Sequence, residues 1–393
     1  MILKNAKIIS PIDNLNDVLD IKIENGIITE ISKNIDGDGI DFLGKIIVPG
    51  LIDMHCHLRE PGFEYKETIQ TGIESALSGG FCAICPMANT NPVIDKVETL
   101  KYTLDKANSI GFYPICAVTK GLKSEELTDI KSLKQSGAIA FSDDGMPFKN
   151  LKLFKEALKT GELIISHAED EVKEVKQELK ILKEGVNVGG KLHFAHISKK
   201  ESIDLIRRAK KEGLNVTCET APHYFTFTKD DVTQDGRFKM NPPLASKEDF
   251  KAIIEGLKDG TIDCIATDHA PHSLEEKTKP FSDAPFGIIG FETALSASFK
   301  LVQDAHLTME QLIEKMSVNP AKILGLKDFG RIKVGNKANL TIIDPDCEYV
   351  VDNKYFKSKC KISPFEGMKL KGIAVATVVN GKLNLNNYQI SSS

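Results

Sequence analysis

Residues 192–224, LHFAHISKKESIDLIRRAKKEGLNVTCETAPHY, decide the fold class because they hold a complete strand, helix and strand. The first segment, LHFAHIS, is short and apolar, as is typical of a buried strand. The next, SKKESIDLIRRAKKEG, has helical spacing, a predicted capping box at Ser198 and Glu201, and a predicted end at Gly213. LNVTCETAPHY is a second apolar strand. A helix joining two buried strands predicts a parallel pair.

This rhythm repeats through most of the chain. The predicted strands are LIDMHCH, FCAICPM, FYPICAVT, AIAFSDDG, LIISHAED, LHFAHIS, LNVTCETAPHY and DCIATDHAPH. Helical stretches such as YKETIQTGIESALSGG lie between them, with a predicted helix end at Gly260 and a capping pair at Thr308 and Gln311. Strand and helix units repeating across residues 51–330 predict an α/β protein with a (β/α)8 TIM-type barrel, and a doubly wound open sheet is the alternative.

The two ends of the chain have a different residue pattern, with short apolar runs separated by turn residues. ILKNAKIIS, DIKIENGIITEIS and GKIIVPG at the start indicate antiparallel strands, with a hairpin turn at Asn25 and Gly26. GRIKVGNKANLTIIDP and GIAVATVVNGKLNL indicate strands at the other end. Because neither end has enough strands for a stable sheet, residues 1–50 and 331–393 are predicted to share one small β subdomain beside a 51–330 barrel domain.

Composition narrows the class of partner. The 51 basic and 55 acidic residues are evenly spread, which argues against nucleic acid or a membrane surface as a partner. The N-terminus MILKNAKIIS lacks a signal-peptide core, and the sequence predicts a cytoplasmic protein that binds small molecules. Cys82 and Cys85 are three apart on a predicted strand and should face opposite sides, which predicts packing rather than a disulfide or metal site. The tail Ser391 to Ser393 is predicted to fray.

Metal-capable side chains gather at the ends of the predicted strands, where barrel enzymes place their active sites. They are His55, His57, Asp143, Asp144, His167, His196 and Asp268. A lone buried histidine is more often a hydrogen-bonded core residue than a ligand. Seven such groups at five strand ends instead predict a metal centre.

Spacing within the first strand supports this interpretation. His55 and His57 point to the same side of an extended segment, as do Asp53 and Arg59 if the extension continues. Imidazoles with a carboxylate suit Zn²⁺. The set exceeds the needs of one four-coordinate ion, so it predicts either two ions bridged by a carboxylate or one ion with supporting residues. Spacing alone does not choose between Asp143 and Asp144 as the bridge.

Other polar residues indicate a substrate site. Arg59, which precedes EPG, could hold a carboxylate with two hydrogen bonds. Asn89 in MANTNP, Asn241 in KMNPPL and His272 in DHAPH could add directional hydrogen bonds. The alternative for each asparagine is a turn residue beside proline, and for Arg59 a surface ion pair.

An ordered series of motifs resembles one known family across essentially the whole chain. DMHCHLREPG, GGFCAICPMANTNP, AFSDDG, SHAED, FAHIS, TAPHYF, KMNPPL and CIATDHAPH resemble the type I bacterial dihydroorotases of the amidohydrolase superfamily. The resemblance implies a zinc-dependent hydrolase with two ions, or one, per subunit. It implies reversible cyclisation of N-carbamoyl-L-aspartate to L-dihydroorotate and water in de novo pyrimidine (UMP) biosynthesis.

The resemblance also assigns roles to the metal-capable residues. It implies that His55, His57 and Asp268 bind one zinc ion and that His167 and His196 bind the other. Asp144 would bridge the two ions, where hydantoinases use a carboxylated lysine. Asp268 would also be the catalytic residue that takes a proton from water and passes it to the amide nitrogen.

Substrate contacts follow from the same resemblance. Arg59, Asn89 and His272 would hold the substrate carboxylate, and His57 would also contact the substrate. The ring edge would meet Asn241 and the backbone at Phe286 and Gly287 in APFGIIG.

Further expectations concern partners and alternatives. A homodimer is expected and association with aspartate transcarbamoylase is an option. The competing functions are an allantoinase or hydantoinase, and a noncatalytic scaffold for the transcarbamoylase. EVKEVKQELKILKEGVNVGG, residues 171–190, replaces a longer insert of many relatives and predicts a solvated helix. His193, three residues before His196, is expected to face away from it, while His223 could support the site.

Overall fold

The computed structural model describes residues 1–184 and 189–386. The predicted fraying of Ser391 to Ser393 and the 185–188 part of the predicted solvated helix lie outside these residues. The chain begins with five strands, of which the first three pair antiparallel and the last two lie parallel to the first. These strands are β1 (Ile2–Ser10), β2 (Leu15–Glu24), β3 (Ile27–Ser32), β4 (Ile40–Asp41) and β5 (Ile46–Pro49).

Short parallel strands form the barrel. They are β6 (Leu51–Cys56), β7 (Phe81–Pro86), β8 (Gly111–Phe112), β9 (Ile115–Cys116), β10 (Ala140–Ser142), β11 (Leu163–Ser166), β12 (Lys191–Phe194), β13 (Val216–Thr220) and β14 (Cys264–Ile265). β6, β7 and β8 pair in sequence, as do β9 to β14. A parallel bridge between Cys56 and His269 joins the first strand to the segment after the last. The predicted barrel is confirmed, and its third strand is split into β8 and β9.

Helices follow the strands around the outside. They are α1 (Ile69–Ser78), α2 (Val97–Lys106), α3 (Ile130–Gln135), α4 (Leu151–Leu158), α5 (Glu171–Glu184), α6 (Lys200–Lys211), α7 (Lys247–Lys258), α8 (Leu274–Lys277), α9 (Phe291–Gln303), α10 (Met309–Ile313) and α11 (Asn319–Leu324). None of the helices in the described residues combines the length and apolar character of a membrane-spanning helix.

The helix boundaries test the predicted capping residues. Thr308 caps α10 by accepting a hydrogen bond from the Gln311 N–H, as predicted. The capping box predicted at Ser198 is wrong, because Lys199 occupies the cap position of α6 without a side-chain bond. The Ser198 hydroxyl instead donates to Glu171 Oε2 at 2.7 Å. A buried carboxylate from a neighbouring helix therefore takes the hydroxyl that would have capped α6 locally.

Strands from both chain ends form a single sheet. The late strands are β15 (Leu340–Val350), β16 (Lys369–Val379) and β17 (Lys382–Leu385). The sheet runs β17, β16, β15, β5, β1, β2 and β3, and β4 pairs with β1. The predicted hairpin turn is confirmed, since Asn25 and Gly26 have φ values of 52° and 80° between β2 and β3. β5 lies between the two groups of strands, parallel to β1 and antiparallel to β15.

The terminal sheet and the barrel meet at Gly50, the single residue between β5 and β6. A Cβ added there would lie 2.6 Å from the Cβ of Cys82, so only glycine fits without displacement of the neighbouring strand. The Gly50 carbonyl accepts a hydrogen bond from Ser317 Oγ at 2.7 Å. Cys82 and Cys85 are both free and buried, in agreement with their predicted packing role. This tight joint fixes where the first barrel strand starts.

Candidate metal centre and substrate cleft

Three of the predicted site residues have left-handed backbone angles where the chain leaves a barrel strand. Arg59, His196 and Asp268 have φ values of 62°, 36° and 49°. This region is costly for residues with a Cβ, and such strain concentrates at functional sites. The chain turns at these residues, and their side chains reach the same end of the barrel.

Asp144 is the common neighbour of the histidines. Its Oδ1 lies 3.3 Å from His55 Nε2, 3.4 Å from His167 Nδ1 and 3.8 Å from His196 Nε2. Its Oδ2 lies 3.5 Å from His57 Nε2. One carboxylate thus faces imidazoles from the first, fifth and sixth barrel strands.

Asp268 completes one side of the cluster. Its Oδ1 lies 3.3 Å from His57 Nε2 and 3.5 Å from His55 Nε2. On the other side, His167 Nδ1 and His196 Nε2 are 2.9 Å apart. The six residues predicted as ligands therefore converge, with two histidines beside Asp268 and two beside each other.

The cluster fits a metal ion by two observations. Among the described residues, His55 Nε2 and Asp144 Oδ1 are buried without a hydrogen-bond partner, although buried polar atoms normally have one. Ligand atoms also fall within 4.8 Å of one another in two groups that share Asp144, one with His55 and His57 and one with His167 and His196. Imidazole nitrogens and carboxylate oxygens are suitable ligands for divalent transition-metal ions. The site can hold a metal cofactor.

Charge within the cluster is organised by the two aspartates. Burial alone would raise the pKa of Asp144, but the imidazoles of His55, His167 and His196 that face it hold it well below its usual range. Burial also opposes ionisation of Asp268, yet His57 and His55 lower its pKa. Both carboxylates are therefore ionised at neutral pH and available as ligands.

Asp143 has a different environment from its neighbour. Its Oδ1 accepts hydrogen bonds from the N–H groups of Val118 and Thr119, at 2.8 and 2.9 Å. The Thr119 hydroxyl donates to its other oxygen. Asp143 thus holds the loop after β9, while Asp144 faces the histidines.

A cleft of about 180 Å³ opens above the cluster. The predicted substrate residues on its lining are His57, Arg59, Asn89, Asn241, Phe286 and Gly287. His272 does not line it. Its Nε2–H donates to the Phe286 carbonyl at 2.7 Å, and Lys66 Nζ donates to its Nδ1 at 3.1 Å. His272 therefore lies behind the cleft and supports the segment that carries Phe286.

The two predicted asparagines contact the metal cluster itself. Asn89 Oδ1 accepts a hydrogen bond from His57 Nδ1 at 2.8 Å, and its Nδ2 donates to Asp144 Oδ2 at 3.2 Å. Asn241 Nδ2 lies 3.4 Å from His167 Nε2. Neither side chain is an isolated turn residue, and each lies between the cleft and the proposed ligands.

Two buried charged residues at the site were missed by sequence reasoning. Glu219 Oε1 accepts from His55 Nδ1 at 2.8 Å, and its Oε2 lies 3.2 Å from His193 Nε2. Lys277 Nζ donates to the carbonyls of Lys239 and Pro285, at 3.2 and 3.1 Å. The available signal for Glu219 was an acidic residue inside a predicted buried strand. His193 does not contact His196, and it reaches the cluster through Glu219.

His223 was considered as a supporting residue. It is buried, and the centre of its ring lies 4.2 Å from that of Tyr224. Its Nε2 has no hydrogen-bond partner in the described part of the chain. Burial lowers its pKa to about 4. His223 is therefore a neutral imidazole near the cluster.

Known proteins of one family are similar to this chain over nearly its whole length. Residues 46–383 match the Amidohydrolase family. Dihydroorotase of Acetivibrio thermocellus is 46% identical, over 98% of this chain and 98% of that protein. Dihydroorotase of Desulforapulum autotrophicum is 43% identical, over 97% of each. Among solved structures, the L-hydantoinase (dihydropyrimidinase) from Arthrobacter aurescens superposes with a TM-score of 0.87 at 27% identity, covering 99% of this chain and 96% of that one.

Proposed function

This chain belongs to the amidohydrolase family, and its dihydroorotase relatives match it over nearly its whole length. We propose that it acts as a metal-dependent dihydroorotase, by the mechanism that follows. The chain is a dihydroorotase, an enzyme that acts on a cyclic amide. It catalyses reversible closure of N-carbamoyl-L-aspartate to L-dihydroorotate and water in pyrimidine biosynthesis. Residues 51–330 are proposed as the catalytic domain, with residues 1–50 and 331–393 as a supporting subdomain.

The proposed cofactor is zinc, with two ions in each subunit. His55, His57 and Asp268 would hold one ion, and His167 and His196 the other, while Asp144 is shared. Its central place among the four imidazoles supports this assignment. When bound, such ions lower the pKa of water and polarise a carbonyl oxygen.

The choice of substrate rests on one observation, the environment of Arg59. Its Nε donates to the Pro271 carbonyl at 3.0 Å. Its Nη2 lies 3.3 Å from His272 Nε2, which already donates to Phe286. Within the described residues Arg59 forms no ion pair with a carboxylate. A largely buried guanidinium at a cleft favours an anionic ligand, and both the substrate and the product carry a carboxylate.

Further contacts are proposed around the ring. Asn241 and the backbone at Phe286 and Gly287 would bind the ring edge. A Cβ at Gly287 would lie 2.7 Å from the Ala270 carbonyl oxygen, so the backbone reaches the cleft only because glycine has no side chain. Asn89 would contact the substrate carboxylate alongside Arg59. His272 would join them only by releasing the Phe286 carbonyl, so we propose that it chiefly positions that segment.

Asp268 is proposed to carry the proton during the reaction. Its Oδ1 faces His57 and His55, and its pKa is held low, so it is an ionised acceptor at neutral pH. In ring opening it would accept a proton from the attacking water and then deliver it to the departing amide nitrogen. In ring closure the same oxygen would take the proton from the attacking ureido nitrogen and pass it to the departing hydroxide, which leaves as water.

One assay tests the proposal against its competitors. The purified chain is stripped with a chelator and reloaded with Zn²⁺, and ring opening is followed by the fall in ultraviolet absorbance of dihydroorotate. Hydantoin and allantoin are the controls, because they lack the carboxylate. We expect turnover of dihydroorotate alone, with about two equivalents of zinc. Turnover of hydantoin with equal efficiency would contradict the substrate assignment. Zinc binding without turnover would indicate a noncatalytic scaffold.

Assembly and location are also proposed from the family resemblance. We expect a cytoplasmic homodimer, and association with aspartate transcarbamoylase is an option for it. Mass photometry of the purified chain, alone and with that enzyme, measures both. A monomer that shows no binding to the transcarbamoylase in these measurements would contradict this expectation.

A further inference from the structure

A series of hydrogen bonds crosses the barrel interior beneath the metal centre. Thr217 Oγ1 lies 2.8 Å from His193 Nδ1, and His193 Nε2 lies 3.2 Å from Glu219 Oε2. The other oxygen of Glu219 then accepts from His55 Nδ1 at 2.8 Å. His193, Glu219 and His55 are each no more than 1% exposed. The series therefore runs through the protein core and ends on a proposed metal ligand.

Two neighbouring strands build this series. His193 on β12 pairs directly with Thr217 on β13, which brings their side chains together. Glu219 follows Thr217 by two residues, so both side chains lie on the same face of β13. Strand pairing thus fixes the positions of His193 and Glu219 independently of the loops that form the cleft.

The proton positions follow from the chemistry of the carboxylate. An ionised carboxylate only accepts hydrogen bonds, so each flanking imidazole must direct an N–H toward Glu219. His55 then carries its proton on Nδ1, and His193 carries its proton on Nε2. The Nδ1 of His193 is left to accept from the Thr217 hydroxyl. The free nitrogen of His55 is Nε2, the buried atom without a partner that lies 3.3 Å from Asp144.

We propose that Glu219 is a positioning residue of the metal centre and that His193 supports it. Glu219 fixes both the ring orientation and the tautomer of His55, so that Nε2 faces the metal position. A hydrogen bond from a ligand histidine to a carboxylate also makes the imidazole a stronger donor. The proposal rests on the proposed function, since it requires that His55 binds metal. It gives His193 a role that its sequence position did not suggest.

Glu219→Gln tests the proposal because it keeps the shape of the side chain and removes its charge. Glu292→Gln is the matched control, since Glu292 is also buried but bonds to the backbone N–H of Lys357. Metal affinity is measured by competition with a chromogenic chelator. We expect Glu219→Gln to lose about 10-fold to 100-fold in affinity. The visible absorption bands of the Co²⁺-loaded variant should also shift, whereas Glu292→Gln should match the wild type in both measurements.

His193→Gln provides a second, independent variant. It should weaken metal binding in the same direction, and the double variant with Glu219→Gln should lose less than the sum of the two single effects. If Glu219→Gln does not fold, His193→Gln alone decides the question by the same two measurements. Failure of the wild type to bind metal would contradict the proposed function. Tight binding by the wild type and by every folded variant, with unchanged cobalt spectra, would overturn the role of Glu219.

Discussion

His57 donates its Nδ1–H to Asn89 Oδ1 across 2.8 Å. The bond leaves His57 Nε2 to face Asp144 and Asp268. Because Asn89 also donates to Asp144 Oδ2, its amide contacts two proposed ligands at once. The asparagine that the sequence suggests for the substrate thus also orients the metal centre.

Asn89→Ala should therefore affect both metal and substrate. Removal of the amide leaves His57 free to rotate, and we expect about tenfold weaker metal binding together with a raised KM. Chelator competition and steady-state kinetics measure the two effects. Asn16→Ala, at an exposed position, is the control. A change in KM with unaltered metal affinity would show that the contact with His57 has no role.

Arg59→Ala should lose substrate recognition and keep its metal. Loss of a charged hydrogen-bonding partner for the carboxylate should lower kcat/KM by about 100-fold or more. Zinc content by atomic absorption should match the wild type, because Arg59 contacts none of the proposed ligands. Arg207→Ala removes an arginine paired with Asp204 and Asp259 and should leave the kinetics unchanged. Unchanged turnover by Arg59→Ala would refute the substrate assignment.

Asp268→Asn should lower kcat by about 100-fold to 10,000-fold, since the amide cannot accept the proton. The rate of dihydroorotate opening is measured at saturating Zn²⁺, so that weaker metal binding does not mask the effect. Asp304→Asn, on the surface after α9, serves as the control. Retention of wild-type kcat in the zinc-saturated Asp268→Asn variant would remove Asp268 from the proton transfer.

Lys277→Met should raise KM about tenfold with little change in kcat. Lys277 donates to the Lys239 carbonyl, two residues before Asn241, and to the Pro285 carbonyl, next to Phe286. Its loss removes one donor from each carbonyl, leaving the Lys239 carbonyl with only the Gly287 N–H, and loosens both ring-binding segments. Lys279→Met, at an exposed position, is the matched control. Equal KM values in the two variants would contradict this role.

Glu178→Gln should change the pH dependence of stability. Burial raises the pKa of Glu178 from 4.5 to about 8, so the folded chain keeps a proton that the unfolded chain releases. Glu178 thus contributes stability below pH 4.5, and this contribution is lost as pH rises through 8.

Urea unfolding at several pH values tests this effect. Between pH 4.5 and 8 the free energy of unfolding of the variant should rise relative to that of the wild type, by up to about 4 kcal/mol. Glu184→Gln, at the exposed end of α5, should show no such trend. A constant difference between Glu178→Gln and the wild type across this range would contradict the raised pKa.

The barrel was predictable because its signal is local and repeated. Each buried strand is a short apolar run, and each is followed by a helix-period segment. The division of the third strand was not predicted, although Pro114, which has no N–H to donate, lies between β8 and β9. The capping box predicted at Ser198 is absent because the Ser198 hydroxyl donates to Glu171, which is distant in sequence. Local patterns do not report such competition.

The site was predictable only in part for a similar reason. Alternation along a strand shows that Asp143 and Asp144 face different ways, but not which one faces the histidines. That choice depends on the N–H groups of Val118 and Thr119, which donate hydrogen bonds to Asp143. Glu219 was missed because its importance comes from His55, 164 residues away in the chain. Residues that act through long-range contacts carry no pattern of their own.

The position of β5 in the terminal sheet has a consequence for synthesis on the ribosome. Ile47 of β5 pairs with Ile8 on one side and with Ile342 on the other, and β6 follows one residue later. During translation the early strands can pair as soon as they emerge, but one edge of β5 has no partner until residue 342 leaves the exit tunnel. The strand that immediately precedes the His55 strand is therefore paired on both sides only near the end of translation, after all six proposed ligands have been made.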